Sequence, residues 1–355
     1  MPEATDLPTG TGTPPASRKD HTIAHVDPMA QRIWDHVSRS PLHSLWDFQG
    51  VPAAIVWKRT FRALLDDNLV SRAAELGYYF LFALFPTLVC ASAVVGLVAR
   101  RASQIYDNLL HYLAIVVPHS AFTMVMETFN QTTAASSGGK LTLGLAAALW
   151  SASVGFSAIQ DGMNTVYKVK ETRPYWKARG SAILVTALLS VIVTLNLSVL
   201  LLGDFSARYA RVHIWHPWLR LAAIVAIHGT ATVVALSLLM LLFGVIYYFA
   251  PDLKRKCWQW LTPGAALGIF GWFLASLGLR VYLHYFDTYS VTYGSLGAVI
   301  ILLTWFYISG LMLLIGAEVN SEIQAAVTEK HLKEAGEIPE QVSAEPGTQA
   351  AVPAA

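Results

Sequence analysis

Two unbroken apolar runs near the C-terminal end, residues 263–286 and 296–317, constrain this chain more than any other feature. Each is long enough to cross a bilayer core of about 30 Å at about 1.5 Å per helical residue. In lipid the backbone must satisfy its own hydrogen bonds, which a continuous apolar run does as a helix, so the pair reads as a membrane hairpin. The connector carries Tyr289 and Tyr293 and has no charge after Asp287. It either turns at headgroup level with its tyrosines as anchors or dips back into protein.

Four further runs precede the hairpin: 76–98, 141–159, 181–203 and 219–249. Hydrophobic residues make up 54% of the 355 and charged ones 14%, with a mean hydropathy of +0.47. That is more apolar side chain than a soluble core of this size uses. The expected fold is therefore all-α, a polytopic membrane protein with six transmembrane helices. At about 46 Å the run 219–249 is over-long, so it tilts or begins at the interface.

Flanking segments read differently. Residues 1–28 and the tail 326–355 are rich in Pro, Thr, Glu and Ala and are expected to be largely disordered. Residues 29–75 place Trp34, Trp46, Phe48, Trp57 and Phe61 among Lys58, Arg59 and Arg62, which suits helices lying along the membrane or packing in the cytosol. Residues 100–140 have apolar side chains at helical spacing and are expected to form amphipathic helices on the outer leaflet. Eighteen of the 25 Lys and Arg fall on one side of the alternating spans and six on the other, with Arg280 inside a span. Positively charged flanks stay in the cytoplasm, so both termini are expected there.

Polar side chains inside apolar runs mark candidate sites, since a charge at mid-bilayer costs about 2.5 to 3.5 kcal/mol. Asn196, His228 and Arg280 fall toward the outer ends of their runs. Together they suit a pocket for an anionic group, with the Arg280 guanidinium as a fork for phosphate or carboxylate. Alternatively Arg280 snorkels to the interface and Asn196 bonds a neighbouring helix. A second layer lies toward the cytoplasmic ends: Arg72, Glu75, Asp161, Asn164, Glu318, Asn320 and Glu322. These form either a cytoplasmic gate or ordinary chemistry at helix ends. Pro86, inside the first run, is a candidate hinge or a static bend.

Three stretches resemble the YihY/BrkB family of bacterial inner-membrane proteins, whose members have often carried a ribonuclease BN label. They are Arg72-Ala73-Ala74-Glu75-Leu76-Gly77-Tyr78-Tyr79 with Phe85-Pro86; Trp150-Ser151-Ala152-Ser153 through Asn164 to Arg173-Pro174-Tyr175-Trp176-Lys177; and Pro263-Gly264-Ala265 with Tyr293-Gly294-Ser295-Leu296-Gly297 and Gly316-Ala317-Glu318. The resemblance covers roughly residues 57–324 and implies six spans with both ends inside. Links of the family to envelope integrity and lipid export imply a transport-like role in the bacterial inner membrane.

The residues themselves argue against nuclease chemistry. The eleven histidines are scattered, His213-x-x-His216 is the one close pair, and neither cysteine sits at a metal-ligand spacing. No phosphate-binding glycine loop or Ser-His-Asp order stands out. A net charge of +2 without a basic stripe suggests no nucleic-acid partner. No catalytic residue, metal or cofactor is expected. The expected function is a transporter or flippase-like protein for an amphipathic, anionic, lipid-like substrate, with membrane lipids as partners. The alternative is a scaffold that recruits envelope proteins through residues 100–140.

Overall fold

The computed structural model describes residues 28–99 (apart from 41, 43 and 48), 127, 138–285 and 295–339. The expected N-terminal tail, nearly all of the outer segment 100–140, most of the connector after 285 and the end of the C-terminal tail lie outside the described residues. All regular structure among the described residues is helical: α1 (Pro28–Arg39), α2 (Ala53–Asp66), α3 (Leu69–Ala99), α4 (Gly138–Val166), α5 (Tyr175–His213), α6 (Pro217–Phe249), α7 (Pro263–Tyr285) and α8 (Ser295–Glu334). Several helices start at proline, where the missing N–H costs nothing and φ is already helical. Pro28, Pro217 and Pro263 open α1, α6 and α7, and Pro52 and Pro174 cap α2 and α5.

Among the described residues, four helices are long and apolar enough to cross a membrane: α5, α6, α7 and α8 from Leu296. The first two expected spans lie inside α3 and α4, which are 31 and 29 residues long. Position 86 lies within continuous helix. The sixth run does not stop where its hydropathy drops. α8 continues to Glu334, and every residue from 316 to 329 is buried although seven of those fourteen are polar.

Burial of that stretch comes from elements distant in sequence. Ile33, Trp34 and Val37 of α1 pack with Ala325, Leu332 and Ile338, and Val56 of α2 packs with Val319 and Ile323. Outside lipid each such Val, Leu or Ile stabilises by about 1.5 to 3 kcal/mol. α2 turns Val56, Thr60 and Ala63 inward and leaves Trp57, Phe61 and Leu65 exposed. Arg59 of α2 donates to Glu329 Oε2 at 2.9 Å, and Lys333 reaches the same carboxylate at 2.6 Å.

Within the apolar bundle, helices gain little hydrophobic drive from one another, and close contact and hydrogen bonds hold them. α8 packs extensively on α3 and α7, α5 packs on α6, and α6 meets α7 only briefly. Gly77 of α3 abuts the Tyr307 backbone, and Gly264 of α7 abuts the Gly316 carbonyl. Trp272 Nε1 donates to Ser309 Oγ (2.9 Å) and Tyr247 Oη to the Leu313 carbonyl (3.0 Å), tying α7 and α6 to α8.

Candidate functional site

The loops 167–174 and 250–262 meet at one end of the bundle, here the basic end, and Asn164 joins them. Its Nδ2 donates to Glu171 Oε2 (2.9 Å), and its Oδ1 accepts from the Asp252 N–H (2.8 Å). Arg173 holds Glu171 at 2.6 Å, lies 3.6 Å from Asp252 and donates to the Ala250 carbonyl. Thr172 donates to Asp252 through both its N–H and its hydroxyl. Hydrogen bonds from Arg173 pull the Glu171 carboxyl below its ordinary range. Burial pushes Asp252 up, but the Thr172 hydrogen bonds outweigh it and its carboxyl also lies low.

α1 closes over the same loops. Lys254 reaches Asp35 at 2.6 Å and the Arg255 N–H donates to the Ser38 carbonyl at 3.0 Å. Arg72 pairs with Glu75 at 3.3 Å on an exposed face of α3. Asp161 lies within electrostatic reach of both, and of Glu171 and Arg173. Five of the inner-layer residues thus split into two environments: Arg72, Glu75 and Asp161 at an accessible patch with Asn164 beside it, and Asn320 in the buried seam of α7 and α8. Asn320 Oδ1 accepts from the Gly264 N–H (2.9 Å) and its Nδ2 donates to Thr262 Oγ1 (3.0 Å).

Glu318 is fully buried, and neither carboxylate oxygen has a hydrogen-bond partner. Because α8 continues to Glu334, Glu318, Asn320 and Glu322 lie mid-helix and not at a helix end. Where the hydropathy drops at 318, protein surrounds the helix.

Toward the opposite end the outer trio is spread along three helices. Asn196 Nδ2 donates to the Ala235 carbonyl of α6 at 3.4 Å while its Oδ1 is buried without a partner. His228 Nδ1 contacts the Ile224 carbonyl of its own helix at 3.0 Å and is exposed. Arg280 is exposed and makes no hydrogen bond or ion pair among the described residues. Gly268 of α7 lies beside Phe243 and Tyr247 of α6. Counting about 1.5 Å per residue from that contact puts Arg280 about 18 Å outward, near the level of Asn196. His228 lies about 10 Å beyond the Ala235 level that Asn196 marks.

Among the described residues α6 and α7 have fully buried side chains at one end only, although α5 reaches Ala231 and Ala235 of α6. All five buried residues of α6 fall within 243–247, and all four of α7 within 264–269. Their outer halves expose Val225, Val233 and Leu236 on one side and Phe273, Leu277 and Val281 on the other. His228 and Arg280 sit on these more exposed halves.

Arg179, like Glu329, is a buried charge that the sequence pattern did not single out. It is 9% exposed, donates to Ser157 Oγ (3.3 Å) and the Trp150 carbonyl (3.2 Å), and lies 4.4 Å from the Trp150 ring centre. Its Nε has no partner. Counted among the basic flanks, it gave no sign of burial beyond the nearby Ser151, Ser153 and Ser157.

Among the described residues, no three His, Cys, Asp or Glu side chains group as metal ligands would. The sequence profile of the virulence factor BrkB family matches residues 60–339. The ribonuclease-like protein YfkH of Bacillus subtilis is 32% identical over 252 residues, which cover 71% of this chain and 88% of that protein. A UPF0761 membrane protein of Stenotrophomonas maltophilia is 27% identical over 281 residues, 76% of this chain and 60% of its own length. Another from Tolumonas auensis is 25% identical over 279 residues, 76% and 84% of the two chains. No solved structure matches the chain. With its all-helical bundle and four helices apolar enough for lipid, this chain is a membrane protein that belongs to the BrkB family.

Proposed function

We propose that the chain is a transporter of flippase type for an amphipathic anionic substrate with a lipid-like tail. One observation carries this reading: among the described residues α6 and α7 have fully buried side chains only at the basic end, while their outer halves expose broad apolar faces and bear His228 and Arg280. A guanidinium at that depth without a carboxylate partner among the described residues suits a phosphate or carboxylate headgroup, and the exposed apolar faces suit its tail. Asn196, near the same level, supplies an amide whose carbonyl oxygen is unpaired. In this reading the hydrogen-bonded loops around Asn164, with Arg72, Glu75, Asp161, Glu318 and Asn320, form the closed cytoplasmic gate. Six spans, with α3 and α4 among them, cross a bacterial inner membrane with both termini in the cytoplasm.

The experiment is headgroup translocation in proteoliposomes made with fluorescent anionic and zwitterionic lipids. Movement of an anionic lipid, lost in Arg280→Ala at equal insertion and partly kept in Arg280→Lys, supports the proposal. Full activity in Arg280→Ala, or no movement of any lipid, sinks it. A photo-crosslinker at Leu277 separates the scaffold alternative: lipid adducts favour transport, and a stable protein adduct favours recruitment.

A further inference from the structure

We propose that the Glu318 carboxyl is a proton-binding site, buried behind a cavity that α2 and α8 line at the basic end. The cavity measures about 140 Å³ and is lined by Trp57, Thr60, Phe61 and Leu64 of α2 and by Ile315 and Glu318 of α8. Its two polar groups are both buried and both unpartnered: the Thr60 hydroxyl, in a residue 4% exposed, and the two carboxylate oxygens of Glu318. The Ser321 hydroxyl is a donor within reach of the carboxylate, but it donates to the Glu318 main-chain carbonyl at 3.1 Å. An ionised carboxylate without donors costs several kcal/mol to bury. The proton is therefore the ligand that this site lacks.

The chemistry of the lining selects the proton over a metal cation. Hard cations take about six oxygen ligands. Here one carboxylate and one hydroxyl lie buried behind a wall of apolar atoms. An apolar cavity of about this size stays dry, so water meets the buried hydroxyl and carboxyl only when that wall opens. Protons would reach the carboxyl as α2 shifts on α8.

The surrounding charges do not neutralise Glu318. Lys168, after α4, acts on it but is ion-paired with Asp67. Lys168 sits at φ 53° in a turn closed by Val169 N–H to the Asn164 carbonyl and Lys168 N–H to the Thr165 carbonyl, which fixes its direction. Glu322 on α8 adds a like charge, and Asp66 at the end of α2 acts on Lys168. The Tyr167 phenol is buried nearby. On α3, Arg72 and Glu75 pair with each other, and Tyr247 of α6 is committed to Leu313. Proton loss would leave a negative charge facing Glu322 and an apolar wall. Relief would come from Lys168 leaving Asp67 or from α2 lifting off α8.

In a transporter such a site couples proton movement to substrate movement, which deepens the transport reading. Proton binding is nevertheless read on the resting protein, so it stands or falls separately from translocation. The experiment treats the purified full chain with dicyclohexylcarbodiimide, whose addition to a protonated carboxyl gives an O-acylisourea that rearranges to a stable N-acylurea. The expected result is an adduct mapped to Glu318 by peptide mass spectrometry. It should decline as pH rises, be unchanged when sodium replaces potassium, and be absent in Glu318→Gln. An adduct that sodium suppresses, a yield independent of pH, or no adduct at Glu318 at any pH overturns the proposal. Infrared spectroscopy checks the same state in the unlabelled wild type: a protonated carboxyl stretch that Glu318→Gln removes supports it, and its absence at acid pH overturns it.

Discussion

Gly264 and Gly316 bring the backbones of α7 and α8 into contact, and a methyl group added at Gly264 would overlap the Gly316 carbonyl oxygen and the Asn320 amide. No rotamer relieves such a clash, because the obstacle is main chain. Gly264→Ala is expected to destabilise by about 1 to 3 kcal/mol or more, the usual range for overpacking. On the same helix Gly278 has nothing within 4 Å of an added Cβ. Gly278→Ala should therefore be neutral or stabilising by up to about 1 kcal/mol. Thermal unfolding in detergent, followed by fluorescence-detected size exclusion, compares the two. Equal melting temperatures would show that α7 and α8 do not meet at this seam.

Asn164 joins two loops through one amide, so it cannot be replaced by a group that only donates or only accepts. Asn164→Asp keeps the acceptor for Asp252 N–H and sets a carboxylate against Glu171. Asn164→Ala leaves both partners without it. A buried group left unpaired costs about 1 to 3 kcal/mol. Both variants should melt earlier than wild type, and Asn164→Asp should recover in part when combined with Glu171→Gln. A double-mutant cycle without coupling would remove Asn164 as the joint.

Acid should loosen the same joint. The Glu171 carboxyl lies below its ordinary value of about 4.3 because Arg173 and Asn164 bond its charged form. A group depressed in the folded state contributes stability that is complete above the unfolded value and is lost as pH falls through the folded value. Asp252 adds a contribution of the same sign. Melting temperature should thus be flat from neutral pH down to about 4.5 and fall below it, and Glu171→Gln should flatten the acid limb. Both carboxylates are partly solvent-screened, so the effect of each is small.

The all-helical fold and the membrane setting were legible because apolar runs of bilayer length permit few structures. The basic end was legible in part, since Asn164 and Asn320 stand out as amides beside apolar runs. The continuation of α8 was not. Glu318, Asn320 and Glu322 look like the end of a span, and only the packing of α1 and α2 against residues 316–329 makes them interior. That packing joins residues some 270 positions apart, as in Arg59 with Glu329. Period and hydropathy are local quantities and carry no trace of it. That Asn196, His228 and Arg280 fall toward the outer ends of their runs was legible, whereas their spacing along the bundle depends on where α5, α6 and α7 meet, which no run end records.

Arg179 supplies a final test of how a cation is held in this bundle. Its guanidinium is buried against the Trp150 ring and bonded to a hydroxyl and a carbonyl, without a carboxylate among its bonded partners. A planar guanidinium can lie over a ring and still donate from its edge, whereas a lysine ammonium is a compact point charge that cannot do both. Arg179→Lys should therefore rescue little of the loss in Arg179→Ala, which is expected to reach about 1.5 to 3 kcal/mol from the hydrogen bonds alone. Trp150→Leu should lower stability by about 0.5 to 2 kcal/mol in the wild type and by less once Arg179 is already alanine. Melting temperatures of the five proteins decide it. Full rescue by lysine would mean that position 179 needs only a positive charge.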